Sequence, residues 1–313
     1  MSLVLSGKSA GRVSARTEGA VRRAAQELGY RPNAAARALR TGATRTVGMV
    51  VTDVTHPFFG LVLRGAQLAA WRTGYAVALV DVANDPDREL ASFEALRAGP
   101  VDGFLFFTLE PPAHTGEHVV AIEVEPPGMT FVRFDVDRGT ELAIRHLMDL
   151  GHERIGHLAS VLEGETFQRR RARMRELLVA AGHDGEICET AAFDYDDAAR
   201  AAGLLLDRPQ RPTALFCDDD VLAGGAYLAA RERGLRIPAD VSVVGFDDLP
   251  FAKVFDPPLT TIAIDGGQLG EIAFAVLAAL MAGEPAPPGR ILGAELVLRE
   301  STAPPYLPAP AAL

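Results

Sequence analysis

The sequence has few of the features that mark secreted and membrane proteins. It contains only two cysteines, Cys188 and Cys217, among 313 residues, which gives no disulfide framework and is typical of a reducing compartment. No apolar run approaches the roughly 18 residues of a membrane span, and the N-terminus lacks the apolar core of a signal peptide. We therefore expect a cytoplasmic protein that has no contact with a membrane.

Motifs for catalysis and cofactor binding are scarce as well. Residues 52–57, which follow the first predicted strand, contain no glycine, and this weighs against a dinucleotide oxidoreductase and against a P-loop NTPase. The seven histidines are scattered along the chain and show no metal-binding spacing. We predict no catalytic residues, no metal site and no cofactor, and hence a protein that is not an enzyme.

The charge is distributed unevenly along the chain. Residues 1–46 carry nine positive and two negative side chains, a net charge of +7, whereas the whole chain has a formal net charge of −10. A basic arm on an acidic body indicates that the arm contacts a polyanion while the body does not. Chance clustering of charges on a solvated surface is the alternative interpretation.

From Thr46 onward, short apolar strands alternate with helices in two series of similar size. This alternation predicts an α/β fold of two doubly wound parallel-sheet lobes with a cleft between them. The predicted strands are 47–51, 76–80, 101–107, 131–134, 155–159, 214–217, 241–246 and 259–262, with a closing extended segment at 291–298. Residues 111–127 are rich in proline and glycine and are predicted to be irregular.

Upstream of the first lobe, a helix is predicted between Ser14, which is a good N-cap, and Gly29. Residues 21, 24, 25 and 28 form an apolar face at helical spacing. This face has no predicted partner within the N-terminal segment. We therefore expect residues 1–41 to be largely disordered.

The stretch at 29–42 is predicted to contain a second, shorter helix at 34–40, which forms only against a partner because its nucleation is costly. Arg37 and Arg40 suit phosphates, and Leu39 suits a wedge that unstacks a base step in the minor groove. An ordinary flexible linker is the alternative interpretation.

Four stretches of this region resemble the lactose-repressor (LacI/GalR) family of bacterial transcription regulators, and the resemblance continues to about Pro305. The stretches are Val4-Leu5-Ser6-Gly7, Val13-Ser14-Ala15-Arg16-Thr17, Glu27-Leu28-Gly29-Tyr30-Arg31-Pro32-Asn33 and Ala36-Arg37-Ala38-Leu39-Arg40-Thr41-Gly42. In that family this segment ends a helix-turn-helix headpiece and continues as a hinge helix. The resemblance implies a DNA-binding repressor that acts on operator DNA as a homodimer. The residues it places at the DNA are Asn33, Ala36, Arg37, Leu39 and Arg40.

The resemblance also implies the domain organisation, with a headpiece remnant, a hinge and two lobes that resemble periplasmic binding proteins. The remnant would lack the first headpiece helix and most of the second. The implied boundaries are 1–31 for the remnant, 32–45 for the hinge helix and linker, 46–150 with 265–291 for the first lobe, 151–262 with 296–305 for the second lobe, and 306–313 for the tail. The chain is expected to cross between the lobes near Gly151, at 262–265 and at 291–296.

Polar side chains follow the predicted strands, at the edge where open α/β sheets bind ligands. Acidic groups and aromatic rings around a cleft suit a polyhydroxyl ligand, because carboxylates accept hydroxyl hydrogen bonds and rings cover the apolar face of a sugar. The resemblance implies that Arg170 and Asp247 contact an effector, which would be a sugar or a derivative. The predicted effector-binding residues are Asp53, His56, Phe58, Thr108, Asp135, Arg170, Asp219 and Asp247.

Several residues depart from the family pattern or have plainer interpretations. Asp219 stands where the family usually has Asn. Val136 replaces a frequent Asn and Ile264 replaces a polar residue, and both make the effector harder to transfer from a known member. Structural roles are expected for Asp220, Asp248, His152 and Asp240, and a core or interface position for Trp71. The alternative functions are a solute-binding protein without DNA binding and a sugar-modifying enzyme.

Overall fold

The structure is a computed structural model that describes residues 4, 11–29, 42–99, 101–107, 118–183, 187–285, 287 and 289–306. Its strands are β1 (Thr46–Val51), β2 (Ala76–Asp81), β3 (Phe104–Phe106), β4 (Val119–Ile122), β5 (Phe131–Phe134), β6 (Ile155–Ser160), β7 (Ile187–Ala191), β8 (Ala214–Cys217), β9 (Ser242–Asp247), β10 (Thr260–Ala263), β11 (Arg290–Leu292) and β12 (Glu295–Val297). Its α-helices are α1 (Ala15–Glu27), α2 (Pro57–Arg72), α3 (Pro86–Ala98), α4 (Val136–Asp149), α5 (Glu165–Ala180), α6 (Tyr195–Leu206), α7 (Asp220–Glu232) and α8 (Gly266–Met281). None of these described helices is long and apolar enough to cross a bilayer.

The strands form two six-stranded sheets, and the predicted α/β fold of two parallel-sheet lobes is confirmed. The first sheet has the order β2-β1-β3-β4-β5-β11, and all of its pairs are parallel. The second has the order β7-β6-β8-β9-β10-β12 and is parallel apart from the last pair. Central strands such as β4 and β8 are buried along their whole length, which explains their continuous apolar sequence.

Two strands were missing from the sequence prediction. Strand β4 lies inside the proline- and glycine-rich segment that was predicted to be irregular, so this prediction was wrong for Val119–Ile122. Strand β7 is the edge strand of the second sheet and is only partly buried over most of its length. Its polar residues, among them Glu189 and Thr190, do not give the apolar run of a central strand, which is why the sequence pattern did not reveal it.

The helix α4 belongs to the second lobe, although residues up to 150 were assigned to the first. A Cβ on Gly139 of α4 would lie 2.8 Å from Phe246 Cζ and 3.1 Å from Ile262 Cγ2, both of which are on the second sheet. His146 of α4 bonds to Thr302 Oγ1 at 2.9 Å. The chain therefore changes lobes directly after β5, at Asp135, and the crossing expected near Gly151 was placed one helix too late.

The two other crossings follow β10 and β11. Residues Ile264 and Asp265 lead from β10 to α8, which packs against α2 and the first sheet. Gly293 and Ala294 separate β11 in the first sheet from β12 in the second. The lobes thus share three chain connections, and the apolar core continues from one sheet to the other.

At the N-terminus, the predicted helix is confirmed as α1. The Ser14 side chain accepts a hydrogen bond from Thr17 N at 3.2 Å, and Gly29 follows the helix with a φ of +60°. The predicted DNA-contacting residues and the predicted hinge helix at 34–40 lie outside the described residues. So does Thr108.

Helices α2 and α8 approach each other more closely than side chains permit. A Cβ on Gly65 would lie 1.9 Å from the carbonyl oxygen of Gly267, and one on Gly270 would lie 1.9 Å from that of Val62. Backbone therefore packs against backbone, and glycine is required at both positions. Trp71, near the end of α2, lies away from this contact and is 78% exposed, so it is not a core residue of the described chain.

This close contact gives a testable pair of variants. Gly65→Ala should lower the free energy of unfolding by about 1–3 kcal/mol or more, because the clash is with backbone atoms. Gly60→Ala, on the same helix but with no atom within 4 Å of the added Cβ, should raise it by roughly 0.5–1 kcal/mol through helix propensity. Urea denaturation measures both, and equal effects would contradict the packing.

Candidate functional site

A cavity of about 900 Å³ lies between the two lobes, and 23 residues from both of them line it. Its polar lining comes largely from residues at the carboxyl ends of strands. Asp53 follows β1, Asn84 follows β2, Glu123 follows β4, Asp219 follows β8, and Asp247 ends β9. This is where open parallel sheets place their ligand sites, because the connections diverge there and leave a crevice.

The cavity brings together most of the residues predicted to bind an effector. Those that line it are Asp53, His56, Phe58, Arg170, Asp219 and Asp247. Asp135 does not line it: its carboxylate caps α4 by accepting a hydrogen bond from Arg138 N at 3.0 Å, and it borders a separate, open depression between α4 and α5. The structure therefore does not bring Asp135 together with the other predicted effector-binding residues, because at the crossing its carboxylate caps α4.

His56 and Asp219 connect the lobes inside the cavity. His56 Nε2 lies 2.7 Å from Asp219 Oδ2, and the other Asp219 oxygen caps α7 by accepting a hydrogen bond from Leu222 N. Burial lowers the pKa of His56, but the hydrogen bond to Asp219 and the surrounding carboxylates outweigh burial and raise it. The remaining ring nitrogen, Nδ1, is buried and has no hydrogen-bond partner among the described residues.

Arg170 on α5 is the single arginine among the lining residues. Its side chain is buried, donates a hydrogen bond from Nη1 to the carbonyl oxygen of Asp218, and lies over the Phe246 ring with Cζ 3.7 Å from the centroid. Its Nε is buried and lacks a partner among the described residues. Its Nη2 contacts Thr166 Oγ1 at 3.4 Å, so the guanidinium still has N–H groups, among them that of Nε, for a ligand.

The residue that fixes Arg170, Asp218, is itself held on both sides. Its carboxylate binds His157 Nε2 at 2.8 Å and accepts a hydrogen bond from Ser160 N at 2.8 Å. Burial lowers the pKa of His157, but the adjacent Asp218 more than compensates and raises it to about 9. The charged and buried pair of His157 and Asp218 therefore holds in place the Asp218 carbonyl oxygen, which accepts the hydrogen bond from Arg170.

Three lining residues have a left-handed backbone, which is costly for residues other than glycine. The φ angles are +55° at Asn84, +60° at Glu123 and +103° at Asp247. Each sits at or just after the end of a strand, where the sharp turn directs a polar side chain into the crevice. Burial raises the pKa of Asp247 to about 6, although Arg170 and His56 lower it.

Sequence reasoning missed Glu123, Asn84 and the aromatic residues Phe59, Phe107, Phe167 and Phe193 of the cavity wall. Glu123 was missed together with its strand, β4.

Three cavity residues could in principle hold a metal ion. His56, Asp219 and Asp247 offer ligand atoms within 4.8 Å of one another, as a divalent cation requires. However, the His56–Asp219 hydrogen bond occupies this group, and the charge of Arg170 lies beside Asp247.

The structural roles expected for other polar residues agree with their contacts. Asp220 accepts hydrogen bonds from Leu249 N and Thr261 Oγ1, and Asp248 pairs with Arg299 at 2.6 Å. His152 bonds to Thr213 and to the carbonyl of Ala303, and Asp240 pairs with Arg236.

Two α/β lobes, three chain crossings and a cavity at the strand ends define a ligand-binding unit like that of periplasmic binding proteins. The Periplasmic binding protein-like domain family matches residues 144–302. The HTH-type transcriptional repressor CytR of Escherichia coli (strain K12) is 32% identical over 303 residues, which cover 93% of this chain and 89% of that protein.

Two solved structures extend the comparison. The lac repressor dimer bound to operator and the anti-inducer ONPF has a TM-score of 0.87 at 27% identity, and the CelR–cellobiose complex has 0.76 at 28%. Each likeness covers 96% of this chain and 94% of the other. The chain belongs to the LacI family of transcriptional regulators.

The carboxyl group of Glu123 gives a test of the cavity's electrostatics. Burial raises its pKa to about 7, against the lowering effect of a hydrogen bond from Phe134 N and of the charge of Arg170. As the pH rises, the unfolded chain releases this proton near pH ~4.3, well before the folded protein does. The contribution of Glu123 to stability is therefore lost as the pH rises from about 4.3 through about 7.

Glu123→Gln removes this titration. The variant should therefore be more stable relative to the parent protein at pH 8 than at pH 5, which means that the difference in the free energy of unfolding (variant minus parent) is larger at pH 8. Denaturation curves at both values check this, with the exposed rim variant Glu163→Gln as the control. A difference that is the same at both pH values would show that Glu123 does not titrate in this range.

Proposed function

We propose that this chain is a transcriptional repressor that binds operator DNA as a homodimer and responds to a sugar or a sugar derivative bound between its lobes. The proposal is supported by family membership and by what the similar structures contain: cellobiose in one, operator DNA and an anti-inducer in the other. The effector site is formed by Asp53, His56, Phe58, Arg170, Asp219 and Asp247, and Thr108 is an additional proposed contact.

The observation that carries the proposal is a pair of buried nitrogens, on two side chains that line the cavity, without hydrogen-bond partners in the part of the chain that the structure describes. His56 Nδ1 and Arg170 Nε are buried without partners among the described residues, and both side chains line the cavity. Leaving a buried polar group unpaired costs about 1–3 kcal/mol. A hydroxyl group both donates and accepts, so a polyhydroxyl ligand satisfies these atoms and the neighbouring carboxylates together.

Binding of this kind is coupled to the angle between the lobes. His56 belongs to the first lobe and Arg170, Asp219 and Asp247 to the second, so a ligand that touches all of them favours one arrangement. At the rim, Glu125 N of the first lobe donates a hydrogen bond to Glu165 Oε2 of the second at 2.9 Å. An effector shifts the equilibrium only by its difference in affinity for the two arrangements. The N-terminal segment then transmits this change to the DNA.

The same site does not suit catalysis. Among the lining residues that the structure describes there is no serine or cysteine to act as a nucleophile. The buried carboxylates have partners: Asp219 bonds to His56 and Leu222 N, Glu123 accepts a hydrogen bond from Phe134 N, and Asp247 lies near the charge of Arg170. We therefore propose a binding protein that does not turn its effector over.

Replacing Asp247 tests the effector site. Asp247→Ala should weaken effector binding by roughly 10- to 100-fold, which corresponds to the about 1.5–3 kcal/mol of a hydrogen bond to a charged group. Isothermal titration calorimetry measures the affinity, and analytical ultracentrifugation should show an unchanged dimer. Asp149→Ala, an exposed aspartate outside the cavity, is the control. An unchanged affinity of the Asp247 variant would refute the assignment.

Replacing Leu39 tests the DNA-binding segment. Leu39→Ala should weaken operator binding, because a smaller side chain cannot hold a base step open. Its effector affinity should not change, since the substitution lies outside the lobes. Fluorescence anisotropy with labelled operator measures the first quantity and calorimetry the second. Equal operator affinity for both proteins would rule out the wedge.

A further inference from the structure

We infer that the effector is an uncharged molecule in which a hydroxyl-bearing ring is joined to a second ring, and that phosphorylated ligands are excluded. This inference rests on the proposed function, since it concerns the same cavity. Three features of the cavity carry it: its graded burial, its aromatic walls and its excess of carboxylates.

The cavity has an enclosed inner part and an open outer part. Arg170 and Asp219 are 3% and 1% exposed, whereas Leu90, which also lines the cavity, is 53% exposed. The exposed lining residues, which define the outer part, include Leu90 on α3 and Glu163 in the loop before α5. The volume of about 900 Å³ is near the upper end of the roughly 300–1,000 Å³ found for small-molecule pockets. A single sugar ring held at the inner anchors leaves the outer part empty.

Aromatic rings from both lobes line the cavity. Phe59 and Phe107 of the first lobe lie edge to face with centroids 5.0 Å apart, and Phe167 and Phe193 of the second are 5.6 Å apart. His56 connects the walls, since its ring centroid is 4.8 Å from that of Phe193. Ten of the 23 lining residues are apolar. A ligand that fills the cavity therefore needs a second group with an apolar face, not further hydroxyls alone.

The charges of the cavity oppose an anion. Among the described lining residues, seven carry a carboxyl group, against one arginine and one histidine. Arg170 already donates from Nη1 to the Asp218 carbonyl, lies over Phe246 and contacts Thr166 Oγ1 through Nη2 at 3.4 Å, so part of its capacity to bind a phosphate is taken. The outer part adds Glu89, Glu163 and Glu165, which would repel a phosphate attached to the second ring.

The N-terminus of α5, at the outer part of the cavity, is acidic. Gly164 precedes this helix, lines the cavity and provides no side-chain cap. Glu165 lies in the first turn and Glu163 directly precedes Gly164. Carboxylates at a helix N-terminus complement its dipole, and their charge opposes the approach of a phosphate to this end of the cavity.

Calorimetry with the full chain tests the inference in two arms. The disaccharide arm compares glucose, cellobiose and glucose 6-phosphate, and the nucleoside arm compares ribose, adenosine and adenosine monophosphate. In at least one arm the neutral two-ring compound should bind at least about tenfold more tightly than the single ring. In the nucleoside arm the phosphate should weaken binding by about tenfold or more. A single ring or a phosphate as the tightest ligand overturns the inference, as does the failure of every two-ring compound to bind.

Two sets of variants locate the effect within the cavity. Leu90→Ala should reduce the ratio between the affinities of the two-ring compound and its single ring by about threefold or more. Leu204→Ala changes an exposed leucine outside the cavity and should leave this ratio unchanged.

The double variant Glu89→Gln with Glu163→Gln should narrow the ratio between the affinities of the neutral and phosphorylated compounds. Glu94→Gln with Glu284→Gln makes the same change of charge on exposed residues outside the cavity and is the control. Equal ratios in both charge variants would overturn the electrostatic argument.

The outcomes also separate this inference from the proposed function. A single-ring sugar that binds tightly and alters operator binding would leave the proposed function intact and refute the inference. A neutral two-ring compound that binds without any effect on operator binding would support the ligand class and refute the proposed regulation.

Discussion

The hydrogen bond between His56 and Asp219 joins the start of α2 in the first lobe to the start of α7 in the second. Both partners are buried, so neither can exchange its partner for water without a change in the angle between the lobes. Asp219 lies near Asp247, and a protonated His56 offsets the repulsion between these carboxylates. A ligand in the cavity must therefore either include this contact or replace it. The angle between the lobes therefore depends on whether the ligand keeps or replaces the hydrogen bond between His56 and Asp219.

The two sides of the cavity are supported in different ways. On the second lobe, Arg170 is held by the Asp218 carbonyl, and Asp218 is fixed in turn by His157 and Ser160. This nested arrangement leaves little freedom to the side chain that offers a donor to the ligand. On the first lobe, His56 sits at the beginning of α2, whose glycine contact with α8 locks the two helices together. Motion is consequently expected between the lobes rather than within either of them.

Much of the fold followed from local patterns, because buried parallel strands leave apolar runs and the helices between them carry recognisable caps. The errors occurred where tertiary context decides. Edge strand β7 lacks an apolar run, and β4 is hidden among prolines and glycines. The lobe to which α4 belongs depends on how Gly139 meets Phe246 and Ile262, a contact between residues far apart in sequence. The same crossing explains the position of Asp135, since a residue at a crossing can cap a helix instead of facing the cleft.

The position of Trp71 gives the protein a built-in optical reporter. It is the single tryptophan of the sequence and lies in solvent near the end of the helix whose beginning carries His56. A helix of 16 residues spans roughly 24 Å, so the indole is well separated from the cavity and a ligand there will not quench it by contact. A change in its emission upon addition of a ligand would therefore report that the surroundings of the distant helix end have changed.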